Sequence, residues 1–147
     1  MKTLRLFVSL LLLLTAAGAA AQQAHWYSDY KEAAAKAKAD DRNILMDFTG
    51  SDWCPVCVQM DKEVLNTRDF AKYADQHLVL MVVDFPQGKQ LPQNVQDQNN
   101  DLQKRYAVEG FPTFILTDAD GNVLRRHVGY LEGGPGAFIA KLASMKK

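Results

Sequence analysis

The stretch NILMDFTGSDWCPVCVQM, Asn43–Met60, holds a strand, a turn and the start of a helix in one short run. Asn43–Phe48 is a short apolar run with a single acid, Asp47, inside it, and reads as a buried strand. Gly50–Cys54 supplies the turn that follows. Pro55 suits the first turn of a helix, where its missing N–H is not needed. Cys57, Met60, Val64 and Leu65 then recur at helical spacing on one face.

The same reading extends in both directions. Upstream, Ser28 is placed to cap a helix through DYKEAAAKAKADD, rich in Ala and Lys. Downstream, Asn66–His77 reads as a short helix with Phe70, Tyr73 and Ala74 on its apolar side. LVLMVVD, Leu78–Asp84, is continuous, branched and apolar, as a central strand buried on both faces should be. The polar segment Pro86–Asn100 reads as an irregular surface loop, and Asp101–Tyr106 as a helix. Thr113–Thr117 is a strand, Asp118–Gly121 a tight turn, and the run from Asn122 its hairpin partner. Gly133–Pro135 opens a last helix with Phe138, Ile139 and Leu142 as a stripe. The order α, β, α, α, β, α, β, β, α predicts an α/β domain: a central mixed sheet with helices on both faces and a C-terminal β-hairpin plus helix.

The first residues stand apart. Lys2 and Arg5 form a basic head, Leu6–Leu14 an apolar run, and Ala19-Ala20-Ala21 a small-residue site of the A-x-A kind. Together they read as a secretory signal peptide over residues 1–21, with an uncleaved anchor as the rival reading. Residues 22–147 then make one domain of 126 residues, enough chain for a proper core. Without Lys2 and Arg5 there are 15 basic and 17 acidic residues, a formal charge of −2. Such a surface gives no reason to expect nucleic acid or an anionic membrane as a partner.

Cys54 and Cys57 are the only cysteines of the chain. Three readings compete: a static crosslink, half of a metal site, and a working dithiol. As a crosslink the pair closes a tiny loop, and chain-entropy stabilisation grows with loop length. As a metal site it lacks partners: His25, His77 and His127 lie far apart with no H-x₃₋₅-H pattern, whereas closed zinc sites take four ligands. As a dithiol it is well placed. Cys54 falls where a strand gives way to a helix, and unpaired amides and the helix dipole favour a thiolate there. Cys57 lies one turn inside on the apolar face, where burial holds it as a thiol. Asp47 is costly to bury and is positioned to take the Cys57 proton, with a plain structural acid as the alternative. GFPTF places Phe111 and Pro112 directly before a strand.

The set ILMDF, WCPVC, VVD, GFPTFIL, DADGNVL and HVGYL resembles the thioredoxin superfamily across Asn43–Leu142. It is most similar to exported single-domain thioredoxin-like proteins and to the C-terminal domain of the transmembrane thiol reductase of the bacterial periplasm. The resemblance implies a thioredoxin-like fold, with Cys54 as nucleophile and Cys57 as resolving cysteine. It also implies Asp47 as the buried acid, Pro112 as a cis-proline, and Gly129 as the glycine of the last strand. Trp53, Pro55, Phe111 and Pro112 would bound the groove that receives an extended substrate segment, with a core aromatic as the alternative for Trp53 and ordinary packing for Phe111. Thioredoxin proper has Gly-Pro between its cysteines and a lysine after them; this chain has Pro55-Val56 and then Val58. Val56 gives a thiolate neither charge nor hydrogen bond, and Asp52 would oppose ionisation if close. The expected pKa of Cys54 is therefore in the upper part of the roughly 3.5–7.5 range of such sites.

The expected function is a periplasmic or secreted thiol–disulfide oxidoreductase, a reductase or exchange enzyme rather than a strong oxidant. It would act on disulfide-containing exported proteins, need no cofactor beyond its dithiol, and be recharged by an upstream redox partner, a membrane-bound carrier being one form. A monomer is expected. The alternatives are a client-binding module without catalysis, and an accessory to copper or haem protein maturation.

Overall fold

The computed structural model describes residues 23–144, so the leader read at 1–21 lies outside the described residues. The sheet is mixed and five-stranded, ordered β1-β3-β2-β4-β5. β1 (Trp26–Tyr27) and β2 (Asn43–Thr49) both run parallel to β3 (Leu78–Asp84). β4 (Thr113–Thr117) is antiparallel to β2 and to β5 (Val123–Val128). Parallel neighbours need helical crossovers. Those are α1 (Tyr30–Asp40) between β1 and β2, and α2 (Pro55–Met60) with α3 (Arg68–His77) between β2 and β3. α4 (Gln93–Arg105) leads to β4, and α5 (Gly134–Ala143) follows β5. This is the mixed sheet with a C-terminal hairpin and helix that the order of elements in the sequence predicts.

Side chains alternate across a strand, so β2 feeds two cores. Ile44, Met46 and Phe48 pack with Ala33 and Ala37 of α1 and with Leu102 and Tyr106 at the end of α4. Leu45 faces the other way, toward Met60, Val64, Phe70 and Phe138 of α2, α3 and α5. Asp47 is two residues from Leu45 and shares its face. An acid inside a central strand thus points at the helix that carries the cysteines.

Several elements differ from the sequence reading. β1 is only two residues long, too short to show a period. The cap of α1 is Asp29, whose carboxylate accepts from Lys31 N at 2.7 Å and Glu32 N at 3.1 Å, and not Ser28. α3 begins after Thr67, whose hydroxyl accepts from Phe70 N. The segment 86–100 is not all loop, because α4 starts at Gln93; an amide-rich sequence hid a helix that buries only Asn99 and Leu102. Finally, α2 continues as one π-helical turn, Asp61–Leu65. Widening the turn there brings the adjacent Val64 and Leu65 both into the core.

Candidate active site

The turn between β2 and α2 is fixed from within. Cys54 N donates to the Gly50 carbonyl at 2.9 Å, and Val58 N donates to the Cys54 carbonyl at 3.1 Å. Cys54 has extended backbone (φ −94°, ψ 103°) and is the N-cap of α2, with Pro55 in the first turn. Its sulfur accepts from Cys57 N at 3.2 Å, satisfying an amide that the helix leaves free. Cys54 and Cys57 form a disulfide with Cα atoms 5.2 Å apart. Burial separates the two cysteines less than the sequence implies, at 6% and 3% exposed. The asymmetry lies in what each faces.

Cys54 faces the loop before β4. Its Sγ lies 3.9 Å from the Phe111 carbonyl oxygen. The Phe111–Pro112 peptide bond is cis. The Pro112 carbonyl accepts from Gly129 N at 2.8 Å, and Gly129 takes φ +83°, a conformation that favours glycine. Trp53 is 42% exposed beside the disulfide, and its indole packs edge-on to Phe111 at 6.0 Å. Val56, between the cysteines, is also exposed.

Cys57 faces inward, onto a cavity of about 300 Å³ that it shares with Asp47, Thr49, Ser51 and Asp61. At about 30 Å³ for each water in the liquid, this is room for several. Asp47 Oδ1 is buried with no hydrogen-bond partner. Burial pushes the Asp47 carboxyl up to about 8, with further upward pressure from the charges of Asp61 and Asp84. Asp61 is itself raised by burial, offset in part by Asn66, whose Nδ2 donates to it at 2.7 Å. A carboxyl with a pKa near neutrality can give and take a proton within the working pH range.

Asp61 and Asp84 were not picked out from sequence. Asp61 had a signal: it stands four residues after Cys57, one helical turn along the same face. Asp84 closes an apolar strand and gave none. Asp52 is not free to act on Cys54 as a bare charge, because its carboxylate takes the amides of Gln87 and Gly88 at 3.0 and 2.7 Å. His127 sits on β5 against Phe114, with its pKa lowered by burial first and by Lys141 second. Among the described residues no three His, Cys, Asp or Glu side chains converge as a metal site requires.

The sequence model for the thioredoxin-like domain matches residues 30–146. The disulfide bond reductase DsbH of Chlamydia pneumoniae is 38% identical over 128 residues, spanning 87% of this chain and 76% of that protein. A solved structure of a DsbH oxidoreductase superposes with a TM-score of 0.80 at 35% identity, covering 84% of this chain and 85% of the other. The oxidised C-terminal domain of DsbD from Neisseria meningitidis superposes at 0.60 with 18% identity, covering 83% of this chain and all of that domain, a likeness of fold alone.

Proposed function

Given that this chain belongs to the thioredoxin-like family, we propose that it is a thiol–disulfide oxidoreductase of the reductase or exchange type, acting on disulfides of exported proteins. One observation carries the reading: a Cys54–Cys57 disulfide at the start of α2, with a buried carboxyl in the cavity behind Cys57 whose Oδ1 has no hydrogen-bond partner. The 38% identity to a relative named as a disulfide bond reductase supports the direction, and so does the residue pair Pro55-Val56, whose side chains add no donor to Cys54.

In the reducing direction the Cys54 thiolate attacks one sulfur of a client disulfide. A mixed disulfide forms and the client's other sulfur leaves as a thiolate, taking a proton from solvent. Cys57 then attacks Cys54 Sγ. The bond from Cys54 to the client breaks, the client is released with both cysteines reduced, and the enzyme holds the disulfide seen here. Asp47 as carboxylate accepts the Cys57 proton in that second step. During recharging the order reverses: a donor thiolate attacks Cys54 Sγ, Cys57 leaves, and protonated Asp47 supplies its proton. A second donor thiolate then frees Cys54. Two electrons and two protons pass from donor dithiol to client disulfide, so nothing beyond the dithiol is required.

Trp53, Pro55, Phe111 and Pro112 bound the face where the client approaches. The leader at residues 1–21 would deliver the domain to an oxidising compartment, where a membrane-bound carrier is a suitable donor. The test is reduction of oxidised insulin with dithiothreitol as donor. Wild type should accelerate it and Cys54→Ser should not; equal rates would overturn the reading. Cys57→Ser should instead trap clients as mixed disulfides.

A further inference from the structure

Three consecutive residues of the redox turn bind one short stretch of chain. Ser51 donates through N and Oγ to Asp84 at 3.0 and 2.7 Å. Asp52 accepts from Gln87 N and Gly88 N, one on each carboxylate oxygen. Trp53 Nε1 donates to the Phe85 carbonyl at 2.7 Å. Lys89 closes the set with a contact to Asp84 at 3.3 Å. The turn is thus fastened to the end of β3 and to the loop 85–92 that follows.

The ends of that loop are held by Phe85 N on the Thr49 carbonyl at 2.9 Å and by Gln96 Nε2 on the Leu91 carbonyl at 2.7 Å, but its tip, Gln87–Gln90, has little else to define its shape. Gln87, Gly88, Lys89 and Gln90 are exposed, and the Gln87 and Gly88 amides give their hydrogen bonds to Asp52. Those two bonds hold the Asp52 carboxyl below the usual carboxylate range, so the clamp stays charged at neutral pH. Gly50 completes the fit, since a Cβ there would stand 2.5 Å from the Trp53 indole. The indole lies flat across the glycine and reaches Phe85.

The clamp also joins the loop to the face that Cys54 opens on. Phe111 stacks on Phe85 at 5.1 Å and meets Trp53 edge-on, so Trp53, Phe111 and Phe85 form one continuous aromatic ledge. It runs from the disulfide to the start of the loop. A protein segment laid against Phe111 and Pro112 would follow this ledge onto Gln87–Gln90. A small disulfide would touch Cys54 and go no further.

We propose that the loop 85–92 is a second contact surface for an extended segment of a disulfide-bearing protein, and that Asp52 is the positioning residue that presents it. This rests on the oxidoreductase reading above. It assigns to Asp52 a part in choosing protein disulfides over small ones, and none in the chemistry at sulfur.

The test compares reduced wild type, Asp52→Ala and Asp52→Asn with two oxidants: oxidised insulin and a small aromatic disulfide, 5,5′-dithiobis(2-nitrobenzoic acid). The loss of two charge-assisted bonds should slow the insulin reaction of Asp52→Ala on the order of tenfold. The rate with the small disulfide should stay within about twofold, a negligible barrier change on the same scale. Amide hydrogen exchange at Gln87 and Gly88 should quicken in parallel. Asp52→Asn keeps one acceptor oxygen and the same shape, and should fall between. Equal losses with both oxidants would overturn the proposal, since Asp52 would then act on Cys54 itself. So would an unchanged insulin rate, with or without faster exchange. Failure of the wild type with both oxidants would instead sink the oxidoreductase reading.

Discussion

Asp47 concentrates the conflict between stability and chemistry in one side chain. Its carboxyl is held up to about 8 in the folded protein, against about 3.9 in an unfolded chain. Between those values the folded state binds the extra proton. Stability therefore falls as pH rises from about 4 to about 8, and levels off above. At pH 7 this amounts to a penalty of up to about 4 kcal/mol, taking 1.36 kcal/mol per unit. Asp47→Asn should remove it: the oxidised variant should unfold at higher denaturant than wild type at pH 7, and show a flatter profile from pH 5 to 8. The same variant should lose the proton relay and turn over more slowly. A wild-type profile that is already flat across this window would refute the buried, elevated carboxyl. Asp61 acts on it through space. Asp61→Asn removes the neighbouring charge with the stronger effect on Asp47, so the Asp47 carboxyl should titrate at lower pH than in wild type, as read by carbon NMR of its side chain.

At the scale of elements, the site is where a strand, a turn and two loops are stitched together, and Gly50 is the stitch most open to test. A methyl group there meets atoms of a large ring at 2.5–2.7 Å, so the indole must move. Gly50→Ala should free Trp53 from Phe85 and destabilise the fold by about 1–3 kcal/mol, the usual range for overpacking. Quenching of tryptophan emission by iodide should rise in step, since Trp26 is packed against Phe70 and contributes a constant background. These elements were unequally legible in the sequence. β2, β3 and α2 declared themselves, because burial on both faces forces continuous apolar runs and Pro55 marks a helix start. Cys54, Cys57 and Asp47 stood out as chemistry in places where packing alone would put something else. Asp61, Asp84 and the Asp52 clamp did not, because what they do depends on a partner distant in sequence, and a lone Asp in a turn or at a strand end has an ordinary local explanation. α4 was half missed for a related reason: a helix that buries two residues in thirteen leaves almost no period to read.

The whole molecule sets the direction of electron flow through its charge and dipoles. A strong oxidant owes its potential to an unusually stable thiolate in the reduced form. Around Cys54 the described stabilisers are few: the Cys57 amide donates to its sulfur, Pro55 brings no N–H, and Val56 brings no charge. Working against a thiolate are the Phe111 carbonyl oxygen 3.9 Å away and a formal charge of −2 on residues 22–147. The disulfide, for its part, closes so short a loop that it adds little to the oxidised side by chain entropy. With the thiolate weakly favoured, the balance should fall toward the reducing end of the family. The expected potential is about −270 to −230 mV, measured by equilibration against glutathione or dithiothreitol buffers, where about 30 mV corresponds to a tenfold change in the equilibrium constant. A value near −120 mV would require a thiolate stabiliser that this arrangement does not contain, and would reverse the assignment from reductase to oxidant.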